Sequence, residues 1–167
     1  MFNSLLLAVA VSSQPISSPV FTARVTSVTD GDTFRATINE SEIVVRLGCI
    51  DSVERKQPGG DNSKQALSKL LPPGQVVELH AVSTDFYGRS VALVKTQSQF
   101  VNLLQVQTGH ALIYEQYFKQ CKTMKSQFQN AQSDAKRSHL GFWGLPTEQQ
   151  VVPWEWRKLR KSKAKND

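Results

Sequence analysis

This sequence contains no long apolar run and lacks two common catalytic motifs. Its apolar stretch near the N-terminus, Leu5–Val11, is much shorter than the ~20 residues that cross a bilayer as a helix. Neither GxSxG nor GxxxxGK[ST] occurs, so nothing indicates an acyl hydrolase or a P-loop enzyme. A chain of 167 residues with 40% hydrophobic content suits one globular domain with a single core.

Histidine and cysteine are also scarce. The chain has three histidines and two cysteines, and neither set has the spacing of metal ligands. We therefore expect no zinc site. The residues concerned are His80, His110, His139, Cys49 and Cys121.

Positive charge is concentrated at the C-terminus. Six of the 20 basic residues and one of the 14 acids lie between Arg157 and Asp167, so that this segment carries +5 and the rest only +1. A basic tail suits a polyanion such as nucleic acid, or a membrane surface. A solvated, disordered end is an equal alternative.

The N-terminus resembles a leader. The apolar run Leu5–Val11 is followed by small residues, and Ala8–Ala10 and Val11–Ser13 both look like signal-peptidase sites. No Lys or Arg precedes the run. We expect residues 1–19 to be a leader and linker and the protein to be secreted or periplasmic; a disordered leader is the alternative.

The distribution of β-branched residues and turn signals predicts five short strands and about three helices. Helices interrupt and follow the strands in the order of an OB-type Greek-key barrel. The predicted strands are 20–29, 33–38, 42–50, 76–82 and 90–96, and the predicted helices run from 61 or 62 to 71, from 100 to 108 and from 116 to 138.

The last of these helices carries a buried stripe. Its apolar residues recur at steps of three and four, which indicates one amphipathic helix packed on the core. Cys121 belongs to this stripe, and Cys49 ends the third strand. The two can pair in an oxidising compartment, or they can remain two buried thiols. The stripe comprises Cys121, Met124, Phe128, Ala131 and Ala135.

Arg46 is unusual because it lies inside the apolar segment 43–50. A buried guanidinium needs a carboxylate or a bound anion as its partner; on an edge strand it can simply face water. Arg46 and Asp51 are an odd number of residues apart, so a regular strand would place them on opposite faces. They can share a site only if the strand ends or bulges near Gly48.

Three acids lie near Arg46 in the sequence. Asp32 is at a turn, Asp51 at a strand end and Glu54 in the next loop. Two carboxylates about 4 Å apart repel by roughly 4 kcal/mol at an effective dielectric near 20. A hard cation such as Ca²⁺ would remove that repulsion; alternatively, the carboxylates point apart into water.

A second arginine follows a turn. Arg89 comes directly after Asp85–Gly88 and opens the fifth predicted strand. Two arginines at one barrel end suit the binding of a phosphoryl group. The alternative is a local salt bridge between Asp85 and Arg89.

Taken together, three blocks resemble the staphylococcal nuclease (thermonuclease) family, and in particular its secreted bacterial members. The blocks are Val28–Thr33, Val45–Glu54 and Asp85–Arg89. The later segments 101–102, 109–111, 141–143 and 153–157 are similar too. The resemblance covers residues 20–157, between the leader and a basic tail at 158–167.

The resemblance implies a calcium site and a general base. Asp32 and Asp51 would ligate Ca²⁺ through their carboxylates, and Ser52 through its backbone carbonyl. Glu54 would take a proton from a water molecule near the metal.

It also implies a phosphate site. Arg46 and Arg89 would bind the scissile phosphate and stabilise the transition state. Tyr87 would contact the nucleotide, and Asp30 and Asp85 would be supporting residues.

The predicted function is therefore a calcium-dependent endonuclease that hydrolyses DNA and RNA and leaves 3′-phosphate ends. We expect a monomer without a stable protein partner. The main alternative is a non-catalytic OB-type module that holds single-stranded nucleic acid, and a lipid-surface protein has only the basic tail in its favour. The enzyme is favoured because all five catalytic and acidic positions are filled, namely Asp32, Arg46, Asp51, Glu54 and Arg89.

Overall fold

The computed structural model of the chain describes residues 19–164. All but the last residue of the predicted leader, and the last three residues of the basic tail, lie outside this range. Within it are seven strands, β1 Val20–Val28, β2 Thr33–Ile38, β3 Ser41–Leu47, β4 Ile50–Ser52, β5 Val76–Thr84, β6 Ser90–Lys95 and β7 Ala111–Ile113. The same range holds four α-helices, α1 Gly60–Leu70, α2 Val101–Gln107, α3 Lys125–Arg137 and α4 Pro153–Lys163.

Five strands close into a barrel in the order β1-β2-β3-β6-β5. The pair β3–β6 is parallel and the other pairs are antiparallel. This confirms the predicted five-stranded OB-type barrel. The barrel interior is filled by alternate residues of each strand, as the two-residue period of a strand requires; they are Ala23, Val25, Phe34, Ala36, Val45, Leu47, Val77, Leu79, Ala92 and Val94.

The predicted third strand, 42–50, is wrong at its end. The chain leaves the barrel after Leu47, and Cys49 adopts φ 68°, a left-handed conformation that interrupts the ladder. β4 then pairs with β7 in a separate two-stranded sheet. This break turns the chain and re-aims the residues that follow it.

The predicted single helix 116–138 is wrong too. A 3₁₀ helix covers Glu115–Met124, and Cys121 is non-helical at φ −108° and ψ 16°. Cys121 is joined to Cys49 by a disulfide with a Cα–Cα distance of 6.3 Å. The bonded cysteine sits at the kink, and α3 begins beyond it; Phe128, Ala131 and Ala135 of α3 form the predicted core face.

Two further helices differ from the sequence prediction. α1 begins at Gly60, and its N-cap residue is Gly59, which has φ 85° and forms no side-chain cap. The predicted caps Asp61 and Asn62 therefore lie inside the helix. α4 was not predicted: it runs to Lys163, across the position that divides the predicted domain from the tail. Over residues 19–164, every helix is too short or too polar to cross a membrane.

Candidate active site

A cavity of about 810 Å³ opens beside the strand ends of the barrel. Every site residue predicted from the sequence lines it. These residues are Asp30, Asp32, Arg46, Asp51, Ser52, Glu54, Asp85, Tyr87 and Arg89. The fold therefore brings together groups that are up to 59 positions apart in the sequence.

Arg46 joins the two central carboxylates of this cavity. Its Nη2 lies 3.1 Å from Asp32 Oδ2 and 2.9 Å from Asp51 Oδ1. Its Nη1 donates to the backbone carbonyls of Leu47 at 3.2 Å and Ile50 at 3.0 Å. The guanidinium thus sits between two buried anions, as a buried charge requires.

Asp32 lies immediately before β2 and is held by hydrogen bonds. Its Oδ1 accepts a hydrogen bond from Thr33 Oγ1 at 2.8 Å, and its Oδ2 accepts one from the backbone N–H of Ser52 at 3.1 Å. Burial alone would raise the pKa of Asp32, but Arg46 and these hydrogen bonds lower it below its usual value. Asp32 is therefore a carboxylate at neutral pH.

Asp30 supports this turn. Its Oδ1 accepts a hydrogen bond from the backbone N–H of Asp32 at 3.1 Å. Burial, together with the nearby charge of Asp32, raises the pKa of Asp30 to about 6. Two neighbouring carboxyl groups therefore differ in their readiness to ionise.

The sheet formed by β4 and β7 places Asp51 and Ser52. Asp51 pairs with Leu112, and Ser52 pairs with Ala111. The Asp51 side chain is 2% exposed. Burial raises the pKa of Asp51, and its contacts with arginine side chains oppose that shift.

Glu54 lies in the loop that leads to α1. Its backbone N–H donates to Gln57 Oε1 at 3.2 Å. A Cβ on Gly60 would fall 2.0 Å from the carbonyl oxygen of Glu54, so only glycine permits this close approach of helix and loop. The Glu54 side chain stays 31% exposed and faces the cavity.

The turn between β5 and β6 supplies the second predicted arginine. Asp85 Oδ1 accepts the backbone N–H groups of Tyr87 at 2.9 Å and Arg89 at 3.0 Å, and Asp85 Oδ2 accepts Arg89 Nε at 2.7 Å. Burial is the largest single influence and raises the pKa of Asp85, but these bonds and the charge of Arg89 together lower that pKa below its usual value. The salt bridge that was the alternative to a phosphate site is present, and it leaves both terminal nitrogens of Arg89 free of Asp85.

Tyr87 stands beside this arginine and is accessible from solvent. Its side chain is 78% exposed, and the centre of its ring lies 5.5 Å from Arg89 Cζ. An exposed aromatic ring next to a guanidinium suits stacking against a nucleotide base.

Arg157 is a site residue that the sequence did not single out. It comes from α4, and its Nη2 lies 2.7 Å from Asp51 Oδ2 while its Nη1 lies 2.6 Å from Glu54 Oε1. Lys161, one helical turn later, lines the same cavity. Two features of the sequence involve Arg157, namely the family-like segment 153–157 and the excess positive charge of the tail. Neither feature predicts which carboxylates the arginine will contact.

Comparison with known proteins identifies the family of the chain. Residues 44–144 match the family described as staphylococcal nuclease homologue. The chain is 32% identical to a micrococcal nuclease of Shigella flexneri over 85% of its own length and 83% of that protein. It is 34% identical to an uncharacterized endonuclease of Haemophilus influenzae, over 96% and 86% of the two chains.

The chain belongs to the staphylococcal nuclease family. Its relatives also include a staphylococcal-like nuclease of Arabidopsis thaliana, 29% identical over 70% of this chain and 34% of that longer protein. Membership identifies the chain as a nuclease, a hydrolase, built on an OB-type barrel. Arg157 lies beyond the matched residues 44–144, and Asp30 and Asp32 precede them.

Proposed function

We propose that this nuclease is a calcium-dependent phosphodiesterase that cleaves both DNA and RNA and leaves 3′-phosphate ends. The observation that carries the proposal is the contact of Arg46 Nη2 with both Asp32 Oδ2 and Asp51 Oδ1. Two buried carboxylates thus meet around one positively charged group, which supports a cation site beside them. Glu54 and Arg89 open into the same cavity.

The proposed protein ligands are oxygen atoms, which calcium prefers, but they are few. Calcium prefers six to eight oxygen ligands, and over residues 19–164 no three side chains of His, Cys, Asp or Glu converge as a metal site. Asp32 and Asp51 would hold the ion together with the backbone carbonyl of Ser52. Water and the substrate phosphate would complete the shell.

Bound calcium would supply positive charge beside the scissile phosphate. Glu54 acts as the general base and takes a proton from the attacking water. The water oxygen forms a bond to phosphorus while the bond to the 5′ oxygen breaks. The 5′ oxygen leaves with the bonding electron pair and takes a proton from solvent, and the phosphate stays on the 3′ side. Arg46 and Arg89 bind the phosphoryl oxygens and stabilise the negative charge of the transition state.

The surroundings favour a polynucleotide over a small phosphodiester. Exposed aromatic rings, Phe86 at 97% and Tyr87 at 78%, border the cavity on one side. Tyr114 and Tyr117 line it as well. Rings stack on any base, so this surface suits both nucleic acids.

We also propose that the protein is exported and acts as a monomer. The disulfide between Cys49 and Cys121 supports an oxidising compartment, as does the leader-like segment in residues 1–19. An enzyme that cuts both nucleic acids is hazardous where the genome lies. N-terminal sequencing of exported protein should find a mature terminus between Ala10 and Phe21, and an intact Met1 in the cytosol would contradict export.

The direct test is digestion of single-stranded DNA and of RNA by the full chain, with calcium and with a chelator. We expect cleavage with calcium only, and products that a 3′-phosphatase can dephosphorylate. Binding of nucleic acid without cleavage under any divalent cation would support the non-catalytic OB-type module instead. Cleavage that persists in chelator would overturn the calcium requirement.

A further inference from the structure

Arg157 reaches the active site from outside the barrel. Its helix, α4, is the last element that the structure describes, and its guanidinium contacts two of the proposed catalytic carboxylates at once. Nη2 lies 2.7 Å from Asp51 Oδ2, and Nη1 lies 3.1 Å from Asp51 Oδ1 and 2.6 Å from Glu54 Oε1. This is a bidentate clamp on one carboxylate with a third bond to another.

The clamp engages both oxygens of Asp51. Oδ1 also receives Arg46 Nη2 at 2.9 Å, so two guanidinium groups neutralise a carboxylate that is only 2% exposed. A divalent cation needs at least one of these oxygens. Oδ1 already accepts from both arginines, and Oδ2 accepts from Arg157 alone. A cation on either oxygen would therefore lie beside Arg157 and compete with it for Asp51.

Apolar contacts also hold the helix in place. Trp154 stacks on Tyr114 with ring centres 5.2 Å apart and planes at 15°, and Pro153 is buried. These apolar contacts anchor the start of α4. The ion pairs of Arg157 are thus available for a role beyond anchoring the C-terminus.

We propose that Arg157 is a positioning residue that serves as the internal counter-ion of the metal site. In the metal-free chain it neutralises Asp51 and holds Glu54 beside it, and it releases Asp51 when a divalent cation binds. This inference rests on the proposed calcium site. Because the arginine and the cation compete for the same oxygens, each weakens the binding of the other by the same factor.

The test is calcium titration calorimetry on the full chain without nucleic acid. Arg157→Gln should bind calcium about tenfold more tightly than the unmodified chain, a typical size for coupled binding events. Arg157→Lys, which keeps the charge but loses the planar fork, should fall between the two. A residue that only anchors the helix would not increase calcium affinity when it is removed.

Lys161→Gln is the matched control. It removes one positive charge from the same helix and the same cavity, but Lys161 forms no salt bridge with a carboxylate of residues 19–164. We expect a much smaller change in its calcium affinity. An equal gain in both variants would overturn the proposal, since the effect would then be general electrostatics.

The outcomes separate this inference from the proposed function. If the unmodified chain binds calcium and digests nucleic acid, but Arg157→Gln binds calcium equally or more weakly, only the counter-ion role is wrong. If the unmodified chain binds no calcium, both proposals fail. Circular dichroism and the tryptophan fluorescence of the chain, to which the stacked Trp154 contributes, check that each variant keeps α4 folded and docked.

Discussion

Arg46 and Asp51 are five residues apart, yet Arg46 Nη2 lies 2.9 Å from Asp51 Oδ1. In a continuous strand the two side chains would project from opposite faces. The contact exists because the strand breaks at Gly48 and Cys49, where Cys49 adopts φ 68°. Cys49 also forms the disulfide with Cys121. The strand break that brings Arg46 and Asp51 together is therefore bonded covalently to the helical segment Glu115–Met124.

The disulfide should be a large contributor to stability. It joins residues 72 positions apart, and on the chain-entropy model closing such a loop stabilises by about 4 kcal/mol. Reduction, or the double substitution Cys49→Ser and Cys121→Ser, should lower the free energy of unfolding in urea by about that amount. Two free thiols in the denatured, unreduced protein would show that the bond does not form.

Much of the fold and site was predictable from local patterns. Strand alternation and turn residues gave the barrel, and Asp32, Glu54 and Arg89 stand in recognisable sequence blocks. The parity of Arg46 and Asp51 even required an interruption near Gly48. These features depend on neighbours in the sequence, which is why they could be predicted.

What could not be predicted depends on tertiary contacts. The apolar pattern at 116–138 is that of one continuous helix. The helix is interrupted at Cys121, which is the residue bonded to Cys49. Likewise, the part of α4 from residue 158 onward is rich in Lys and Arg and was assigned to a basic tail, either one that binds a polyanion or a solvated end. The docking of α4 depends on Trp154 meeting Tyr114, a contact between residues 40 positions apart.

Arg89→Lys should lower kcat by orders of magnitude. Asp85 Oδ2 holds Arg89 Nε at 2.7 Å, which leaves the terminal nitrogens to bind phosphate. Lysine has a single side-chain nitrogen and cannot bind Asp85 and the phosphate in the geometry of the planar guanidinium, so the exchange is not conservative. Arg35→Lys, at an exposed pair with Glu42, is the control and should retain full turnover.

The pair of Asp85 and Arg89 also predicts a pH effect on stability. Hydrogen bonds and the charge of Arg89 hold the pKa of Asp85 in the folded protein below its ordinary value of 3.8. The stabilisation is therefore complete well above pH 3.8 and disappears as the pH falls through the folded pKa. Asp85→Asn should cost about 1 kcal/mol at pH 7.

Urea unfolding of the unmodified chain and of Asp85→Asn, from pH 7 down to pH 3, measures how much stability Asp85 contributes at each pH. The difference in the free energy of unfolding between the two proteins should become smaller as the pH falls. Protonation of Asp85 removes from the unmodified chain the ion pair that Asp85→Asn already lacks. The more exposed pair of Asp134 and Arg137 offers a control, and Asp134→Asn should change stability less at pH 7. A difference between Asp85→Asn and the unmodified chain that grows toward low pH would contradict the assignment.

Asp32→Asn should act mainly on the metal. The amide keeps the size of the side chain and one acceptor for the N–H of Ser52, but it removes a negative charge from the proposed ligand set. Because calcium affinity follows the number of charged ligands, the calcium concentration for half-maximal activity should rise about tenfold or more. Asp134→Asn again serves as the control, and an unchanged calcium requirement in Asp32→Asn would place the metal elsewhere.

Glu54→Gln isolates the chemical step. Glutamine retains the size and the hydrogen-bonding oxygen that meets Arg157 Nη1 at 2.6 Å, but it cannot accept a proton from water. Loss of a general base usually costs about 10²–10⁴-fold in rate, so kcat should fall by that factor while KM and calcium affinity change far less. Glu155→Gln on α4, which removes only the surface partner of Lys158, should leave kcat unchanged. If Glu54→Gln and Arg89→Lys both turn over at near-normal rates with saturating calcium, the chemistry occurs at other residues even though the fold is that of the family.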